Sequence, residues 1–148
     1  NLRGADLSYA DLNGAKLNNA NLSGAKLQGA NLNCAELNYA NLENADLTDA
    51  DLSETSSFQV NLCDSILVRA NLSNSDLNHA EIENSNLLNA KLFAANLSSA
   101  NLHKSNLTEA NLTNADLSES FLSEAIYKGA NLKGVDSSGV YRDGKILI

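Results

Sequence analysis

Leucine returns at every fifth residue along most of this chain, from Leu2, Leu7, Leu12 and Leu17 onward to about Gly134. Ala usually stands two places before it, with Asn or Asp between. A period of five suits neither common element. On an α-helix each five-residue step turns by about 140°, so the leucines would scatter around the axis. On a flat strand an odd period sends successive leucines to opposite faces. A bent strand reconciles the pattern. Ala and Leu, two apart, point the same way in an extended triplet, and the residue between them points out. The next Ala comes three residues after Leu, so the chain must turn within the two intervening positions. These hold Gly, Asn, Ser, Asp and Lys, types that suit corners and water. Repeated bends of this kind wind the chain round a core of Leu and Ala, with successive coils paired by backbone hydrogen bonds at about 4.8 Å.

The units "ADLSY", "ADLNG", "AKLNN", "ANLSG" and "AKLQG" resemble the tandem A(N/D)LXX array of the pentapeptide-repeat family, in its Leu-centred type known from photosynthetic bacteria and chloroplasts. The resemblance covers roughly nine-tenths of the chain. It implies an all-β fold, a right-handed four-sided (quadrilateral) β-helix solenoid of about seven coils with about twenty residues each. At the strand spacing above, the rod would be roughly 35 Å long.

Counting by twenty gives this some support from the residues themselves. The outward column Asp6, Lys26, Asp46 alternates in sign, Lys16 lies under Glu36, and Asp11, Asn31, Asp51, Asn71 alternate acid with amide. A further column reads Asn1, Asn21, Asn41, Asn61, Glu81, Asn101. Such ladders suit stacked strands, where like charges directly opposite are unfavourable and amides can bond along the stack. Fifteen-residue coils would also avoid most like-charge clashes, so the columns favour four sides without excluding three.

One beat is missing. Ser57 stands where a leucine is due, followed by Phe58, yet the rhythm resumes at Leu62 without insertion or deletion. The expectation is a local bulge over "ETSSFQV", with Phe58 turned inward to fill the volume vacated at Ser57. The ends also depart from the pattern. Residues 1–134 form the repeat domain and 135–148 a C-terminal capping segment, in which Asp143-Gly144 reads as a tight turn with short extended flanks. Phe121 and Ile126 are apolar at outward positions, which fits a tail folded back over the last coil through Val140, Tyr141 or Ile146. An open solenoid leaves raw ends. The N-terminal coil has no such cover, so the expectation is either that residues upstream supply one or that the coil stacks end to end on a second copy as a homodimer.

Composition narrows the function. No Pro, Met or Trp occurs among the 148 residues, aromatic content is 5%, and the 43% hydrophobic content is mostly Ala and Leu. A chain short of large anchors and rich in identical small ones favours a repetitive architecture. The formal net charge of −8 argues against nucleic acid as a direct ligand, because phosphate contacts need clustered Lys and Arg. No apolar run approaches the ~18 residues of a membrane span. Cys34 and Cys63 are expected as free thiols on opposite sides of the coil, and His79 and His103 fall at different corners with no third ligand, so neither a metal nor a cofactor is implied. Catalysis needs convergent groups in a concave site, and outward-facing carboxylates on a convex rod point to no catalytic residue and no enzyme. The several Asn-Leu-Ser and Asn-Leu-Thr triplets follow from the repeat itself and carry almost no further information.

Away from the C-terminal end, Ile66, Val68, Leu88 and Phe93 break the polar rule of the outer surface. Val68 and Leu88 stack at one corner, Ile66 leads to Val68, and Phe93 projects from the next corner along the same coil as Leu88. With Thr48 and Thr108 bounding the column, they form a candidate protein-contact patch with an apolar centre and a polar rim. The expected function is a non-enzymatic scaffold or protein-binding module with an unidentified protein partner. The resemblance supplies an alternative, the DNA-mimicking branch of the family that acts on type II topoisomerases. The resemblance also implies the periplasm or thylakoid lumen as compartments, and the residues themselves leave the cytoplasm open.

Overall fold

The structure is a computed structural model that describes residues 1–143 and, as strand backbone, 145–147. Every fifth residue from Gly4 to Gly139 takes a positive φ between 52° and 73°, whether or not it is glycine. Each stands third in a turn that is usually closed by a backbone hydrogen bond, as from the Ala10 N–H to the Leu7 carbonyl at 3.0 Å. A positive φ at the third residue alone is the mark of a type II turn. Between corners, parallel bridges join residues twenty apart, from Asp6–Lys26 through to Phe121–Tyr141. Four sides of five residues therefore make one coil, and the choice between fifteen and twenty is resolved to twenty. The chain is an all-β, four-sided β-helix. Coil one spans residues 1–20 and coil seven 121–140, and the four sides of a coil follow one another in chain order.

Hydrogen-bond accounting explains the repeat more fully than burial does. Within a side, the outward residue donates its N–H to the previous coil, as Lys26 to the Ala5 carbonyl at 2.9 Å. The centre and the corner residue donate to the next coil, as Leu7 to Lys26 at 2.8 Å and Tyr9 to Gln28 at 2.8 Å. A fourth N–H closes the turn. The fifth, on the residue after the centre, has no backbone partner, and a backbone donor left unpaired costs about as much as a lost hydrogen bond. The Asn or Asp two residues earlier accepts it through Oδ1, at 3.0 Å from Ser23 to Asn21, 3.0 Å from Cys63 to Asn61 and 2.8 Å from Ser118 to Asp116. This side-chain turn is why the triplet favours Asn or Asp over other polar residues. Non-glycine corners hold a left-handed conformation that costs about 1–2 kcal/mol each, and the inter-coil bonds of the same residues offset it.

The interior is a continuous stack of leucines with alanines beside them. Leu22, Leu42, Leu62, Ile82 and Leu102 on the first side are each at most 1% exposed, and Ala40, Val60, Ala80 and Ala100 run alongside, equally buried. Leu2, Leu7, Leu12 and Leu17 of coil one are only half-buried.

The missing beat differs from the expectation in both respects. There is no bulge, because Ser56 bridges Glu36 and Asp76 in the ordinary register and Gln59 keeps the corner conformation with φ 52°. Nor does Phe58 turn inward. It stands at the corner, half-exposed, edge-on to the rings of Tyr39 at 5.6 Å and His79 at 5.7 Å. Its N–H is held by Asn38 Oδ1, one coil earlier, at 2.9 Å, and an inward ring would have to break the bridges on either side. Two hydroxyls occupy the interior instead. Ser57 donates to Thr55 Oγ1 at 2.9 Å, and Thr55 donates to the Leu52 carbonyl at 2.9 Å. Both residues are at most 2% exposed.

At the C-terminal end the corner geometry runs on through Gly139. Strand β1 (Val140–Arg142) then pairs antiparallel with β2 (Lys145–Leu147), Val140 opposite Leu147. Val140 is buried, the Tyr141 ring tilts over Phe121 at 5.8 Å, and Arg142 lies 4.8 Å over the Tyr127 ring. Phe121 and Ile126 nevertheless stay about half-exposed. Gly144 of the expected turn and the Ile146 side chain lie outside the described residues.

Candidate functional site

The apolar exceptions of the central coils stand at one outward position and three corner positions. Ile66 occupies the outward position of the second side in coil four, bridged to Asp46 and Asn86, and is 43% exposed. Val68 and Leu88 are the first corner residues of that side in coils four and five, both half-buried. Their relation is fixed by the backbone: the Arg69 N–H donates to the Leu88 carbonyl at 2.9 Å, and the Leu88 N–H is capped by Asn86 Oδ1 at 3.2 Å. Phe93, at the corner of the third side, is 42% exposed. Ile66, Val68 and Leu88 thus share the second side and Phe93 stands on the third, so the flank they make spans two adjacent sides of coils four and five.

The border of this flank is polar and organised. Arg69 grips Asp49 one coil earlier with two parallel hydrogen bonds, Nε to Oδ1 at 2.7 Å and Nη2 to Oδ2 at 2.5 Å. These bonds hold the Asp49 carboxyl below its ordinary pKa and raise that of Arg69. At Asp46, burial pushes the pKa up. The hydrogen bonds from Thr48 and Gln28 outweigh it, so that carboxyl too lies low. Asp6 and Asp136 are lowered chiefly by hydrogen bonds from Ser8 and Ser138. Each of these groups is more acidic folded than unfolded, so its contribution is present above the unfolded value near ~4 and is lost as pH falls through the folded value. The melting temperature should hold from pH 7 to about 5 and decline below about 4. A melting temperature that rises on acidification over that interval would contradict the assigned bonds.

A second cluster escaped sequence reasoning. Tyr39, Phe58 and His79 form an aromatic row along the fourth-side corner of coils two to four, with Tyr39 54% exposed. They are spaced by 19 and 21 residues, alternating between the two corner positions, so a strict count by twenty does not align them. The charges are also unevenly shared. The fourth side carries Glu36, Asp76, Asp116, Glu119 and Asp136 against Lys16 alone. The first carries Glu43, Asp64, Glu81, Glu83 and Glu124 against Arg3 and Lys104. The second and third sides are nearly balanced. Cys34 and Cys63 are free thiols, and burial raises the Cys63 pKa. Among the described residues no group of His, Cys, Asp and Glu is placed to hold a metal ion, and no helix is long and apolar enough to cross a membrane.

Comparison with known proteins places this geometry. The sequence profile described as pentapeptide repeats matches residues 1–33, 20–56, 58–92 and 90–126. HetL, a pentapeptide-repeat protein involved in heterocyst differentiation regulation in the cyanobacterium Nostoc sp. strain PCC 7120, is 31% identical. The match covers 98% of this chain and 76% of HetL with a TM-score of 0.69. A trypsin-treated variant of QnrB1, a plasmid-mediated fluoroquinolone resistance protein, is 23% identical over 90% of this chain and 79% of its own, with a TM-score of 0.50. A pentapeptide-repeat protein of the Arabidopsis thaliana thylakoid lumen is 29% identical over 64% of this chain and 66% of its own, with a TM-score of 0.48. A search of the curated proteins found no match.

Proposed function

The chain belongs to the pentapeptide-repeat family, and from that premise we propose that it is a non-enzymatic scaffold that binds a protein partner through the flank formed by Ile66, Val68, Leu88 and Phe93. The observation that supports this reading is the exposure of Ile66 and Phe93 and the partial exposure of Val68 and Leu88, on adjacent sides of coils four and five beside the Arg69–Asp49 pair. An apolar centre inside a polar rim is the usual anatomy of a contact site. A rod whose corners are held by inter-coil hydrogen bonds presents that surface with little ordering cost on binding.

The alternative reading as a DNA mimic is weaker on charge density. Duplex DNA carries one charge per ~1.7 Å, so the five inter-coil steps from coil two to coil seven, roughly 24 Å, would need about fourteen charges. The fourth side offers five acids over coils two to seven, spaced by Ser56 and Asn96 in the outward column.

Replacing Leu88 and Phe93 together by Ser tests the scaffold reading. Both side chains are at least partly exposed, so thermal stability should stay within about 0.5 kcal/mol of the parent per site. Retention of the partner in affinity capture from the native source should fall at least about tenfold, as expected for loss of apolar contacts at an interface centre. Undiminished capture by a folded variant would place the contact elsewhere.

A further inference from the structure

A shallow groove of about 470 Å³ runs along the first side from coil five to the C-terminal end. Its two ends differ in chemistry. At one end stand the carboxylates of Glu81 and Glu83. At the other, the rings of Phe121 and Tyr141 lie 5.8 Å apart and remain 49% and 39% exposed. The groove is built rather than incidental. Asn101 Nδ2 donates to Glu81 Oε2 at 2.9 Å and fixes that carboxylate. His103 Nδ1 donates to the Ser123 carbonyl at 2.8 Å, and its Nε2 lies 3.9 Å from Glu124 Oε1, which holds the ring along the groove wall. Among the described residues no cation lies within ion-pair distance of Glu81 or Glu83. Lys104 shares a neighbouring hollow with Glu83 but does not pair with it.

We propose that this groove binds an extended basic segment of a partner protein, taking an arginine at Glu81 and Glu83 and an aromatic or aliphatic side chain against Phe121 and Tyr141. This deepens the scaffold reading and rests on it, but it concerns a different side of the rod. Two carboxylates without a cation favour a guanidinium, whose planar fork bonds two acceptors at once and stacks against neighbouring rings. The acidic surroundings repel nucleic acid and attract a basic peptide. Spacing gives the motif. Glu81 and Phe121 are two coils apart and Glu81 and Tyr141 three, or roughly 10 and 14 Å at ~4.8 Å per coil. An extended peptide rises ~3.3 Å per residue and alternates its side chains between two faces, so its apolar side chain follows the arginine by about four positions, which keeps both on the face toward the rod. The free backbone edges of a β-helix lie at its ends, so recognition along this side is by side chains and not by an added strand.

The test is a titration of isotope-labelled protein with the peptide acetyl-Ser-Arg-Ser-Ser-Ser-Phe-Ser-amide, followed by amide shifts and by calorimetry. Shifts are expected on Ser99, Asn101, His103 and Ser123. The affinity should fall at least about tenfold in Glu81→Gln/Glu83→Gln and also when the peptide's Arg is replaced by Glu, and it should weaken in Phe121→Ala. The paired substitutions Asp11→Asn/Asp51→Asn, on the third side, and Leu88→Ser/Phe93→Ser should leave it unchanged. Equal weakening by the third-side pair would mean attraction by net charge alone and would overturn the proposal. So would shifts confined to another side. Peptide binding unaffected by the groove substitutions, together with partner loss in Leu88→Ser/Phe93→Ser, would sink this inference and leave the scaffold reading standing.

Discussion

Leu42→Asp should destroy the central coils at neutral pH. Leu42 is fully buried, with the centres of the coils on either side, Leu22 and Leu62, equally enclosed. The substitution removes a buried leucine, which typically costs 2–5 kcal/mol, and places a carboxylate where neither water nor a cation reaches it. A buried unpaired charge adds several kcal/mol, or takes up a proton to avoid that cost. A penalty of about 5 kcal/mol is comparable with the whole stability of an ordinary domain. The pH dependence has a definite sign. The introduced carboxyl would have a folded pKa raised above its unfolded value, so the penalty eases as pH falls toward 5. Circular-dichroism melting at pH 7 and pH 5 checks both points. An unchanged melting temperature would contradict the inward placement of the first-side centres.

The opposite sign is expected at the missing beat. Thr55→Ala/Ser57→Leu restores the consensus side, placing Leu between Leu37 and Leu77 of the neighbouring coils, which are buried in unbroken register. It exchanges a hydroxyl pair for a leucine, whose full burial is worth roughly 1.5–3 kcal/mol. At about 2–4 °C per kcal/mol for a chain of this size, the melting temperature should rise by about 3–12 °C. Were Phe58 the filler of that volume, the added leucine would overpack the core and lower the melting temperature instead. Thermal scans of the double variant therefore separate the corner position of Phe58 from an inward one.

The reason Phe58 was misplaced by sequence reasoning is instructive. Hydrophobicity alone sends a phenylalanine toward a gap, but a side chain cannot leave its corner without undoing the bridges of Ser56 and the cap from Asn38. Those constraints come from residues twenty positions away. The fold itself was legible because the five-residue period repeats some two dozen times and excludes helix and flat strand together. The coil length was less so, since charge columns tolerate fifteen residues as well as twenty, and inter-coil bridges alone decide it. The outward placement of Ile66 and Phe93 was readable once twenty was assumed. The row Tyr39, Phe58, His79 was not, because its members alternate between the first and second corner positions. The capping role of Asn and Asp also lay hidden, for it appears only when each backbone N–H is assigned a partner.

The claim that this rod works through its apolar flank is tested most directly by site-specific photocrosslinking in the native source. Phe93 is replaced by the photoreactive benzoyl-phenylalanine and, in a separate chain, so is Asn13, which occupies the same corner four coils earlier. Irradiation should yield a discrete protein adduct from position 93 and none from position 13. Adducts from position 13 alone, or none from 93 with the folded rod present, would contradict the account.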